Sequence, residues 1–313
     1  MSRKLKLNEV PFIMTTPKLP AGKRPESADE ISRGFEQLGY ICDRALAVTI
    51  LLLIKMGKPI LLEGHAGLGK TEVAKVLAAF LNTRLIRLQC YEGLDVNSAV
   101  YEWNYQKQLL AIKIEEGSGQ SVEEKEKHIF GREFLLERPL LQAVLEQKAS
   151  PVLLIDEVDR ADEAFEAFLL ELLSDFQISI PEMGTIRAKH VPFVVLTSNR
   201  SRELGDALKR RCLYHWIEYP SLEKEMRIVA ARLPGIEQQL ANQVVRFVQQ
   251  LRKLNLIKAP GVAETLDWAQ ALISLNKSRL DENAVEETLG CLSKAMEDMG
   301  KIRAAGIRKL IGA

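Results

Sequence analysis

KPILLEGHAGLGKTEVAKVLAAFL (Lys58–Leu81) decides the fold. Its first part is a short apolar run closed by glycine, the pattern of a buried strand. Its last part places Val73, Val76, Leu77 and Phe80 on one face of a helix. Between them GHAGLGKT (Gly64–Thr71) fits G-x-x-x-x-G-K-[ST], in the strand-then-helix context that this pattern requires. The glycines let the backbone curl so that N–H groups converge on phosphate oxygens. The helix N-terminus adds its positive dipole end. Gly64, His65, Ala66, Gly67, Leu68 and Gly69 are thus expected to cradle a nucleotide, His65 through its backbone only. Lys70 is expected to pair with the β and γ phosphates, and the Thr71 hydroxyl to ligate Mg²⁺.

Working outward, RLIRLQC (84–90) alternates like a strand, and SPVLLID (150–156), VPFVVLTS (191–198) and LYHWIEY (213–219) are further strands. Helices are expected over 42–56 and 162–176. Strands alternating with helices predict an α/β fold with a parallel five-stranded sheet. After Pro220 only helical periodicity remains. Leu222, Met226, Val229 and Leu233 mark the first of these helices. Val285, Leu289, Leu292, Met296 and Met299 mark a later one, capped by Asp281 and stopped by Gly300. The expected organisation is an N-terminal arm (1–28), an α/β nucleotide-binding domain (29–219) and a smaller all-helical lid (220–313). Two insertions interrupt the core. One, 101–131, joins alternating residues to a polar stretch whose part 117–127 reads as a solvated loop. Its Trp103 and Tyr105 suit core packing and an exposed, partner-facing role equally. The other, 177–188, reads as a hairpin.

In a parallel sheet, ligands gather at the carboxyl ends of the strands. VLLIDE (152–157) ends one strand in two acids. Asp156 is expected beside the Mg²⁺ held by Thr71. Glu157, further out, is placed to orient and deprotonate an attacking water. Asp159 and Asp162 read as caps of the following helix. Asn199 ends another strand, where its amide reaches both the γ-phosphate and the water. Thr197 and Ser198 are weaker candidates.

The bulk numbers exclude several classes. The net charge is +1, so no global charge favours nucleic acid. The arm is locally basic, and a solvated tail explains it better than nucleic-acid contact. The four cysteines form no CxxC pair, which argues against zinc and for a reducing compartment. The most apolar run, Ala45–Ile54, is far shorter than the roughly 20 residues of a membrane span. The cytoplasm is the default expectation.

Three motifs in this order, followed by a basic doublet and a helical region, resemble an AAA+ ATPase over about residues 30–300. By that resemblance GHAGLGKT is Walker A, LLIDE is Walker B and Asn199 is sensor 1. The stretch DEVDRA, with Asp159 in place of the usual Asn, is similar to the MoxR family. CYEGLD (90–95), YEWNYQKQLL (101–110) and PGVAETLDWA (260–269) look most like the branch that serves maturation of carbon monoxide dehydrogenase-type molybdenum hydroxylases. The resemblance implies ATP and Mg²⁺ as cofactors and a ring, usually a hexamer. It also implies a von Willebrand factor A-domain partner and a chaperone role toward a metalloenzyme client. One of Arg210 and Arg211 becomes the arginine finger offered to a neighbour, with Arg211 favoured by its match to the family's RF pair. The sensor 2 arginine is missing, because Glu264 and Thr265 stand where Pro and Arg are usual; Lys258 is a weak substitute. The rival readings are an AAA+ motor acting on nucleic acid and a P-loop kinase of small substrates. The Glu157 and arginine pattern argues against the kinase.

Overall fold

Three strands are buried along their whole length because both of their faces are covered. The computed structural model describes residues 24–115 and 121–312. Helices α1 (Ala28–Gln37) and α2 (Arg44–Met56) precede β1 (Ile60–Gly64), which leads through the glycine loop into α3 (Lys70–Phe80) and β2 (Leu85–Gln89). Next come α4 (Val96–Ala99), then β3 (Tyr101–Trp103), α5 (Tyr105–Ile114) and α6 (Val122–Ile129) within the first insertion, and β4 (Leu135–Glu137) just after it. Then come α7 (Pro139–Leu145), β5 (Val152–Asp156), α8 (Glu163–Asp175), the hairpin β6 (Gln177–Ile180) and β7 (Gly184–Arg187), and β8 (Phe193–Ser198). Short α9 (Asp206–Arg211) feeds β9 (Leu213–Ile217).

The main sheet has the order β2-β5-β8-β1-β9, with every pair parallel. Burial follows position. Every residue of β1, β5 and β8 is buried, whereas β2 and β9, at the edges, are partly exposed. Along β1 the side chains alternate between two cores. Leu61 joins Leu153, Ile155, Val194 and Leu196 on one face. Ile60 and Leu62 join Leu154 and Val195 on the other, under α1, α2 and α3. This is the doubly covered parallel sheet expected from the sequence.

The chain is helical after β9. It forms α10 (Leu222–Arg232), α11 (Gln238–Leu251), α12 (Val262–Ser274), α13 (Glu282–Leu292), α14 (Met296–Ala305) and α15 (Ile307–Ile311). Their own core centres on Phe247 and Trp268, whose indole N–H donates to Thr288 Oγ1 at 2.7 Å.

Several local expectations need correction. The later helix is two. Asp281 caps α13 as expected, but the chain extends at Ser293 and Ala295, and α14 then runs straight through Gly300. The alternating residues after Trp103 form helix α5. The polar stretch expected as a loop contains α6, opened by a capping box between Ser121 and Glu124; residues 117–120 of it lie outside the described residues. Residues 1–23 of the arm also lie outside them. Trp103 is core, packed on Tyr101 and Phe130, and Tyr105 is exposed.

Candidate functional site

The site grows from the ends of β1, β5 and β8. Past β1, Gly64, Gly67 and Gly69 take positive φ values of 154°, 77° and 83°. Gly64 cannot be replaced cheaply, since a Cβ there would lie 2.6 Å from the Ile217 carbonyl oxygen on β9. Lys70 is buried, and its ammonium donates to the carbonyls of Gly64 (2.8 Å) and His65 (2.7 Å). Burial pulls the Lys70 pKa below its ordinary value, opposed by the charges of Asp159, Asp156, Glu157 and Glu63.

Asp156 ends β5 and is 2 % exposed. Its Oδ1 accepts from the hydroxyls of Thr71 (2.9 Å) and Thr197 (2.6 Å). Its Oδ2 accepts from Arg87 Nε (3.1 Å) and Nη2 (2.6 Å). Glu157, in the left-handed region at φ 55°, turns away from the strand. It accepts from Asn199 Nδ2 (3.3 Å) and Gln89 Nε2 (3.2 Å), and forms an ion pair with Arg160 Nε (2.8 Å). The Glu157 backbone N–H donates to Thr197 Oγ1 at 2.9 Å. The expected acids and Asn199 are thus brought together, and Thr197 ties them.

Asp162 caps α8, accepting from the Phe165 N–H at 2.8 Å. Asp159 does not act as a cap. It is buried and accepts from the N–H groups of Asn199 (3.2 Å) and Ser201 (2.8 Å) and from the Ser201 hydroxyl (2.7 Å). A carboxylate fits where three donors converge, which is the physical reason for an acid at this position. Ser198 Oγ is turned to Glu63, 3.2 Å away, rather than to the site.

A cavity of about 340 Å³ opens beside these groups, within the usual range of roughly 300–1,000 Å³ for small-molecule sites. Ala66–Thr71, Asp156, Glu157, Thr197 and Asn199 line one end. Ile41, Pro220, Ile228 and Leu266 give it an apolar end, while Tyr40 and Ile217, also in the lining, lie against Gly69 and Gly64. That apolar end was missed in the sequence, as was α1 beside it. Lys224 and Arg232 also line the cavity; both are on α10, where their spacing with Ile228 at i, i+4 and i+8 was a readable signal. Lys224 is paired with Asp43 (2.6 Å) and Arg232 with Glu72 (3.0 Å).

The helical region meets the loop directly. The Ala263 N–H donates to the Gly67 carbonyl at 2.9 Å. Thr265, aligned with sensor 2, is fully buried and donates to Glu225 Oε1 at 2.8 Å. Lys258 is exposed, lies 3.9 Å from Glu264 and does not line the cavity. His65 does more than offer its backbone. Its ring stacks on Tyr219 (5.1 Å, 24°), and Arg252 lies over the same tyrosine ring (4.9 Å). Arg252 is in turn buried against Glu225 at 2.6 Å.

Arg210 and Arg211 end α9. Arg211 donates to Ser174 Oγ (2.6 Å) and the Ala207 carbonyl (3.0 Å). Arg210 is exposed and has no ion pair among the described residues. The doublet precedes β9, the edge strand beside β1. Separation from the phosphate loop runs along the strands: Leu213 pairs with Ile60, and Ile217 with Gly64.

The strand order and the loop now stand together, and residues 59–212 match the family described as AAA domain (dynein-related subfamily). Over that stretch the chain is similar to an AAA domain. The matched stretch holds four strands of the five-stranded parallel sheet, and β9 and the helical C-terminal region follow it. An uncharacterized protein of Staphylococcus haemolyticus is 24% identical over 231 residues, which is 72% of this chain and 79% of that protein. One of Staphylococcus epidermidis is 25% identical over the same shares. A mutant of Thermotoga maritima RuvB covers 85% of this chain and 73% of its own at 20% identity, with a TM-score of 0.47. The Thermotoga maritima RuvB Holliday junction branch migration motor covers 85% and 72% at 18% identity, with a TM-score of 0.45. Among the described residues, no helix is long and apolar enough to cross a membrane.

Proposed function

We propose that this AAA domain hydrolyses ATP within a ring and uses the cycle to remodel a protein client. Residues 29–219 form the nucleotide-binding unit and 220–313 the lid. The observation that carries the reading is the convergence of Lys70, Thr71, Asp156, Glu157 and Asn199 on one end of one cavity. In this reading Gly64–Gly69 present N–H groups to the phosphates. Lys70 leaves its two carbonyl partners for the β and γ phosphates. The apolar end between Ile41 and Leu266 takes the base.

The Thr71 hydroxyl and the Asp156 carboxylate, 2.9 Å apart, are hard oxygen donors at the lip of the loop, and they fit Mg²⁺. The bound ion supplies charge neutralisation across the β and γ phosphates. Glu157 accepts the proton of the attacking water. Asn199, already bonded to Glu157, orients that water. Arg211 or Arg210, from the adjacent subunit, stabilises the charge on the transferring phosphoryl group. Arg211 keeps the favour of the family match, whereas Arg210 has the freer guanidinium.

The MoxR likeness supports the finer reading: a hexamer, a von Willebrand factor A-domain partner and maturation of a metalloenzyme in the cytoplasm. The test is Glu157→Gln in the full chain. It is expected to bind ATP, to hydrolyse it about 10²- to 10⁴-fold more slowly and to hold its client for capture. Undiminished turnover removes Glu157 as base. A strict monomer by light scattering at every nucleotide condition removes the ring. ATPase activity stimulated by DNA or RNA would favour the nucleic-acid motor.

A further inference from the structure

Asp156 receives four hydrogen bonds on two oxygens. The two at Oδ1 come from Thr71 and Thr197, the threonines of the phosphate loop and of β8. The two at Oδ2 both come from Arg87. This arginine is on β2, the neighbour of β5 at the sheet edge, two residues before Gln89, which pairs in register with Asp156. Its side chain is 47 % exposed, against 3 % for Asp156. Arg87 Nη2 also donates to Gln89 Oε1 at 2.5 Å, and Gln89 passes a hydrogen bond on to Glu157. Arg87 does not line the cavity.

We propose that Arg87 is a positioning residue that weakens the hold of the Asp156 side on the divalent cation. The inference rests on the Mg²⁺-nucleotide reading above. A guanidinium is charged at every accessible pH and forks onto carboxylate oxygens. Here it occupies Oδ2 and neutralises the acid, so Asp156 serves the cation through the Thr71 hydroxyl and through water rather than by direct coordination. It also repels the ion. At roughly 6 Å in a water-like medium, one positive charge against two changes affinity about tenfold. A weaker hold lets the spent nucleotide and its cation leave sooner, which suits a machine that must cycle.

The experiment is titration of the full chain with a fluorescent ADP, first in excess EDTA and then across a Mg²⁺ series. Arg87→Gln keeps hydrogen-bonding capacity and removes the charge; Arg87→Lys keeps the charge. The expected result is unchanged ADP affinity in EDTA for both. The Mg²⁺ midpoint should fall about tenfold for Arg87→Gln and stay at the wild-type value for Arg87→Lys. An unchanged or raised midpoint for Arg87→Gln overturns the proposal. So does a loss of ADP affinity in EDTA for Arg87→Gln, which marks a merely structural arginine. Failure of the wild type to bind ADP at all would instead overturn the nucleotide site, and this inference with it.

Discussion

The two ends of the cavity are built differently. At the phosphate end, functional groups stand where strands stop, and their places are fixed by sheet register: Gln89 opposite Asp156, Leu62 opposite Thr197. At the lid end, contact is made by helix faces and one aromatic stack, with Thr265 buried where an arginine could have reached the nucleotide. A strand end permits few positions for a side chain, so chemistry there depends on single atoms. A packed face spreads its effect over many atoms, so single changes there should be milder. The variants below are ways to break that contrast.

The largest effect is expected from the doublet, proposed above to act on a neighbour's phosphate end. Alanine at both Arg210 and Arg211 should leave ATP binding intact and lower turnover by about 10³- to 10⁵-fold, as for other fingers supplied in trans. Turnover would also lose its dependence on protein concentration. The single variants, measured separately, identify which guanidinium acts. Next is the Glu157→Gln loss given above. Lys70→Ala follows: losing charge-assisted bonds should weaken nucleotide binding roughly 10- to 150-fold in a fluorescence titration. Unaltered affinity would contradict the assignment of the loop.

The smallest effect belongs to the lid. Tyr219→Leu removes the ring between His65 and Arg252, contacts worth about 0.5–1.5 kcal/mol. Turnover should drop about 2- to 10-fold while ADP affinity stays level, because Tyr219 does not line the cavity. Tyr219→Phe keeps the stack and should restore the rate. A Tyr219→Leu loss as deep as that of Glu157→Gln would break the contrast, since packing would then be acting like chemistry.

The same contrast explains what could be read from the amino acids alone. The central strands announced themselves because burial on both faces demands unbroken apolar runs, and the loop because only glycine tolerates its backbone. Arg87 and Gln89 were not legible. Each looks like an exposed polar residue of an alternating strand until β2 is laid against β5. Asp159 was misread because an acid before a helix usually caps it, and only the fold brings Asn199 and Ser201 to it. Helix α5 hid because its one buried side chain is Gln108, so it lacks an apolar stripe. Helix α6 was readable: Ser121 and Glu124 have the capping-box spacing. Gly300 was read as a stop, yet a side chain there would meet nothing within 4 Å and the helix has no reason to end.

Strand β9 has a consequence of its own. Trp216, near one end, touches the His65 ring of the phosphate loop, and the arginine doublet enters at the other end. Five rungs of register bind this strand to β1, a span of about 13 Å at the usual rise per residue. In a ring, the subunit would therefore read its own nucleotide at one tip of a stiff rod and touch its neighbour's from the other. A signal travelling around such a ring would pass through covalent and hydrogen-bonded backbone, like a push through a strut, without waiting for any loop to rearrange.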